Sequence, residues 1–94
     1  MIYKLMYHII EKMQYTNFGT FIRNKRKRTG MSLNGFAIKN DIEPAILCRI
    51  EKQQQDVKLG VLIKIAEGFG QNPSALLKEF EETQKLSKRS ITKS

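Results

Sequence analysis

The chain has 94 residues, 40% of them hydrophobic. A chain of this size buries roughly 60 to 70% of its unfolded surface, which supplies one modest core and no large substrate cleft. Seventeen lysines and arginines against nine acidic residues leave a formal charge of +8, and that excess points to a polyanionic partner, because basic side chains displace counterions condensed on phosphates.

Nucleic acid is the leading partner class, ahead of an acidic membrane surface. Cys48 is the only cysteine. Neither an intramolecular disulfide nor a thiolate zinc site can form, and a cytoplasmic location is expected. Residues 1–16 are an apolar N-terminal extension interrupted by Lys4, His8, Glu11 and Lys12. They lack the unbroken core and small-residue cleavage site of a secretory signal, and no segment has the length of a membrane span. Ile2, Leu5, Ile9 and Met13 read at helical period as an added helix; IYKLMYHII read at period two is a strand. Either exposes apolar surface unless it docks on its own subunit or on a second one. His8 stands alone and is assigned no chemistry.

Phe18, Phe21 and Ile22 stand at i, i+3, i+4 and open a first helix, which Gly30 closes after the basic run RNKRKR. Ser32 is the predicted N-cap of a short second helix with Phe36 and Ala37 inward, ended by a left-handed turn at Asn40-Asp41. Pro44 suits the first turn of a third helix, since its missing N–H needs no partner there, and Leu47 and Ile50 share its buried face as far as about Lys52. Asp56 is expected to cap a fourth helix in which Leu59, Leu62, Ile63, Ala66 and Phe69 recur before Gly70. Asn72-Pro73 starts a fifth, with Leu76, Leu77 and Phe80 as its apolar face. Residues 83–94 carry four basic residues, no acid and little apolar content. They read as a basic flexible tail, either simply solvated or a loose phosphate-binding arm. The fold class is therefore all-α: a compact five-helix domain over residues 17–82 with an added segment at each end.

Two short helices joined by a tight turn can present a helix to the major groove. The segment SLNGFAIKNDIEPAILCRIEK, with Ser32, Phe36, Ala37, Ile42, Leu47, Ile50 and Glu51 at matching positions, and AEGFGQNPSALL further on, resemble the phage-repressor, or Xre/Cro-like, helix-turn-helix family from Phe18 to Leu77. The resemblance implies that Arg26 and Glu51 form an ion pair between the first and third helices, with Arg26 still offering an N–H to a phosphate; solvated surface charges are the alternative. It implies backbone contacts from Ser32 and from Lys52, Gln54, Gln55 and Lys58 after the recognition helix, although Gln53 to Gln55 also read as a polar linker. Lys25 and Lys27 are further phosphate candidates within a run whose charges helical spacing spreads around the axis.

Departures from the family pattern fall on the reading surface. Leu33 replaces the glutamine that often follows the helix 2 cap. Where polar base readers are common, this chain has Glu43, Pro44 and Ala45: a proline that cannot donate, an alanine able only to touch a thymine methyl, and an acid that would need a cytosine amino group. Arg49 is left as the best base reader. Cys48 lies beside it and is counted with Arg49, Ala45, Pro44 and Glu43 among the expected base contacts, as a small side chain rather than as a redox switch. Gly35 costs the second helix roughly 1 kcal/mol in propensity.

Two functions compete. One is a homodimeric transcriptional regulator on operator half-sites of double-stranded DNA; the other is an antitoxin-type protein that also covers a toxin. Catalysis is not expected, because the sequence offers no acid pair, metal-ligand cluster, phosphate loop or nucleophile with a matching histidine. No cofactor, metal or membrane partner is expected either.

Overall fold

The computed structural model describes the backbone of residues 18–93 and the side chains of residues 18–84. The N-terminal segment 1–16, with its expected helix or strand and its docking, lies outside the described residues. Among those described, all regular structure is helical: α1 through residues 18–28, α2 Leu33–Lys39, α3 Pro44–Glu51, α4 Leu59–Gly68 and α5 Pro73–Lys93. The chain divides into two compact units, Met1–Val57 and Lys58–Ser94.

In the first unit, Phe21 and Ile22 of α1, Phe36 and Ala37 of α2, Ile42 of the turn, and Leu47 and Ile50 of α3 are all buried. Each large apolar side chain so buried contributes about 1.5 to 3 kcal/mol. For helices as short as α2 and α3 this burial must supply most of the stability, since neither is long enough to persist alone. Ala37 is fully buried, consistent with a close approach of α2 and α3 that a longer side chain would prevent. Ser32 caps α2 by accepting a hydrogen bond from the Gly35 N–H at 3.0 Å.

Three helix ends are closed by the same device. After α2, the Asp41 N–H donates to the Ile38 carbonyl and the Ile42 N–H to that of Ala37; after α3, Gln53 donates to Ile50 and Gln54 to Arg49; after α4, Gly70 donates to Glu67 and Gln71 to Ala66. Each pair of bonds is a Schellman closure, which requires a residue at positive φ. Asp41 (φ 56°), Gln53 (φ 63°) and Gly70 (φ 71°) fill those positions. The Asp41 closure sets a turn of only four residues, Asn40 to Glu43, between α2 and α3. The Asn40 side-chain amide reinforces it by donating to the Phe36 carbonyl at 2.8 Å.

The second unit corrects two expectations. Asp56 does not cap α4: the cap position belongs to Lys58, whose ammonium is donor-only and makes no side-chain cap bond. The apolar stripe is also rotated. Ile65 and Ala66 are buried and Leu62 and Phe69 half-buried, while Leu59 is 70% exposed and Ile63 is at the surface. In α5, Leu76 and Phe80 are buried but Leu77 is exposed. Asn72 caps this helix by accepting from the Ala75 N–H at 2.8 Å. The backbone of α5 continues to Lys93 through the segment read as a flexible tail, which has no glycine or proline to stop a helix.

Within the first unit, Gly19 of α1 lies against the end of α3. A Cβ added there would collide with the Ile50 carbonyl oxygen and stand 2.9 Å from Gln53 Cγ and 3.1 Å from the Glu51 carbonyl oxygen. Two of these neighbours are backbone and cannot rotate away. Gly19→Ala should therefore destabilise the protein by about 1 to 3 kcal/mol despite its better helix propensity. Gly60→Ala, where a Cβ meets nothing within 4 Å, should stabilise by about 0.5 to 1 kcal/mol. Urea unfolding of both variants checks the contrast, and equal shifts would mean that the α1–α3 contact is looser than described.

Candidate nucleic-acid interface

The buried side of α3 carries Leu47, Ile50 and Glu51, so the opposite side is turned to solvent. Ala45 and Arg49 are exposed and Cys48 is half-buried, at spacings that place all three on one helix face. Glu43 is the exposed N-cap, without a side-chain cap bond, and Pro44 occupies the first turn. Arg49 lies in the last turn, where the carbonyl end of the helix favours its charge. Lys52 is the C-cap, followed by exposed Gln53 and Gln54 and half-buried Gln55. Lys58 is exposed at the head of α4, in the second unit.

On α1, Lys27 is exposed and Lys25 half-buried. Ser32 is exposed; its oxygen accepts the cap bond, and a serine hydroxyl so engaged keeps its own hydrogen to donate.

Arg26 behaves differently from its basic neighbours. It is 7% exposed and Glu51 is 6% exposed. Arg26 Nε donates to Glu51 Oε2 at 2.7 Å and Nη2 to Oε1 at 2.9 Å, the two-point geometry of a guanidinium on a carboxylate. Nη1 donates to the Met31 carbonyl at 2.9 Å. Three guanidinium nitrogens are thus committed within the protein, and burial leaves little surface for a phosphate. The hydrogen bond to Glu51 raises the Arg26 pKa above its ordinary value; burial opposes this and the carboxylate's charge reinforces it. A raised arginine pKa gives stability that is fully present below the ordinary value and declines as pH rises from there through the raised one, so the pair keeps its full contribution and the arginine its charge throughout the neutral range.

Two residues that help to hold this interface had not been singled out in the sequence. Gly19 is one; a glycine inside an apolar helical run signals close backbone approach. Gln53 is the other. It combines a left-handed backbone with a side chain beside Gly19 and Thr20, and no feature of a glutamine run announces either. Among the described residues no cluster of His, Cys, Asp or Glu could hold a metal ion, and no helix is long and apolar enough to cross a membrane.

Among solved structures the chain is similar to the clp gene regulator ClgR from Corynebacterium glutamicum, with a TM-score of 0.69 and 19% identity over 84% of each chain. It is also similar to an HTH_3 family transcriptional regulator from Vibrio cholerae, with a TM-score of 0.62 and 28% identity over 71% of this chain and 38% of that one. No protein-family model and no curated protein matches it. The fold is that of the Xre/Cro-like helix-turn-helix regulators.

Breaking the Arg26–Glu51 pair from one side leaves a charge buried without its partner. Arg26→Ala and Glu51→Ala should each cost about 3 to 5 kcal/mol, and the double variant should cost much less than their sum. Denaturant unfolding of the four proteins measures the coupling. A coupling near zero would show that the pair is no stronger than a surface contact.

Proposed function

We propose that this chain is a DNA-binding transcriptional regulator that sets α3 in the major groove and acts as a homodimer on paired operator half-sites. The observation that carries the reading is the two-sided character of α3 in an Xre/Cro-like fold: one side is locked by Leu47, Ile50 and the Arg26–Glu51 pair, and the other offers Ala45, Cys48 and Arg49 to a partner. The charge of +8 supplies the attraction to phosphate. In this reading Arg49 reads a base, while Ser32, Lys25, Lys27, Lys52, Gln54, Gln55 and Lys58 serve the backbone. Arg26 acts by holding α3 in place.

A helix-turn-helix dimer binds half-sites about 34 to 36 Å apart, one turn of the duplex. Exposed Leu59 and Leu77 of the second unit support a second copy as the protein partner, and the same residues would serve an antitoxin-like contact with a toxin. The reading places the protein in the cytoplasm and assigns it no cofactor and no catalytic step.

Binding to labelled duplex should weaken steeply as salt rises. Arg49→Ala should lose about 1 to 3 kcal/mol of discrimination at one base pair per half-site. Lys58→Ala should weaken good and poor sites alike and lower the salt slope by about one per subunit. Site selection from random duplexes, with titrations across a salt series, separates these effects. Absence of duplex binding at low ionic strength would overturn the proposal; an unchanged sequence logo with Arg49→Ala would remove Arg49 as a reader.

A further inference from the structure

Between Pro44 and Glu51 the chain has no amide, no hydroxyl and no lysine. The one carboxylate in that span, Glu51, is buried on Arg26. Arg49 is consequently the sole long hydrogen-bonding side chain that α3 exposes. Ahead of it on the outward face stand Ala45, Cys48 and, at the first turn, the ring of Pro44, all small and without a strong donor or acceptor.

Such a face has a preferred base. In the major groove thymine alone presents a methyl group, while guanine, adenine and cytosine present acceptors and amino donors. Ala45 and Cys48 gain by covering a methyl and lose by covering a polar edge, because they strip its water and return no hydrogen bond. Attraction and exclusion therefore favour the same base. Glu43, exposed beside Pro44, accepts only; besides a cytosine amino group, that of the adenine paired with the thymine is a donor, so Glu43 is compatible with this base pair without selecting it.

We infer that the chain reads its half-site through thymine methyl groups, with Ala45, Cys48 and Pro44 covering the methyls of a short thymine-rich step and Arg49 fixing the register on an adjacent guanine. This rests on the DNA-binding reading and adds to it a base class that the general fold does not dictate. An apolar helix face can also serve a protein partner. The basic excess of the chain and the exposed Lys52 at the end of α3 favour the duplex.

The experiment starts from the duplex that site selection prefers and replaces its thymines one at a time with deoxyuridine, which removes the methyl and keeps base pairing and backbone. At one or two adjacent positions per half-site, binding should weaken about fourfold per methyl, the factor expected from losing one buried methyl-sized group. In a double variant, Ala45→Gly with Cys48→Ser, the thymine-to-uracil ratio should fall toward one, with the helical circular dichroism signal verifying that the variant is folded. At the same positions 5-methylcytosine should bind more tightly than cytosine. If uracil duplexes bind as tightly as thymine duplexes everywhere while the preferred sequence still competes best, methyl reading is wrong and DNA binding stands. If no duplex binds at low salt, both fail, and the outer face of α3 is left to a protein partner.

Discussion

The buried pair between Arg26 and Glu51 is the constraint around which the first unit is organised. Taking two charges out of water is unfavourable, and their attraction recovers that cost only when geometry is good and the remaining donors are occupied. Both conditions are met: the carboxylate is held at two points, and a third guanidinium nitrogen binds the Met31 carbonyl. Because Glu51 is the last residue of α3 and Met31 lies in the connection from α1 to α2, one side chain ties three parts of the chain together. An apolar substitute could bury as much surface, but it would not specify direction in this way.

Direction matters because the neighbouring contacts are intolerant of small displacements. Gly19 brings the backbone of α1 against the carbonyls of Ile50 and Glu51, next to the pair and at the same end of α3. Gln53 then leaves the helix with a left-handed backbone, and α3 is closed by the Gln53 N–H on the Ile50 carbonyl and the Gln54 N–H on that of Arg49. The carbonyl of Ile50 thus serves the closure of α3 and limits the approach of α1 at once. The pitch of α3 relative to α1 is set by rigid groups.

The parts legible in the sequence are those governed by short-range chemistry. Ser32, Asn40-Asp41, Pro44 and Asn72 mark helix ends because each has a local reason to be there, and each stands at a helix boundary in the fold. The parts that were not legible depend on phase or distance. In α4 nearly every position is apolar, so periodicity could not say which side faces inward; Leu59 and Ile63 fit the stripe as well as Ile65, yet only Ile65 is buried. Asp56 looked like a cap because its side chain can accept, but the helix begins too late for it to reach. Of the candidate interface, the outward placement of Ala45 and Arg49 follows from the inward placement of Leu47 and Ile50. The role of Gly19 depends on a backbone more than thirty residues away; locally its only trace is a glycine inside a helical run, which does not say what approaches it.

The two faces of α3 share one short helix but almost no structural duties. Residues on the inner face hold the fold through packing and charge; the side chains of Ala45 and Arg49 on the outer face are exposed. Such a division separates inheritance of the scaffold from inheritance of the target. On the proposed DNA-binding reading, mutations that drift through the outer positions redirect the protein to new sites without first compromising its ability to fold, while drift on the inner side is purged before any change of target can be tried.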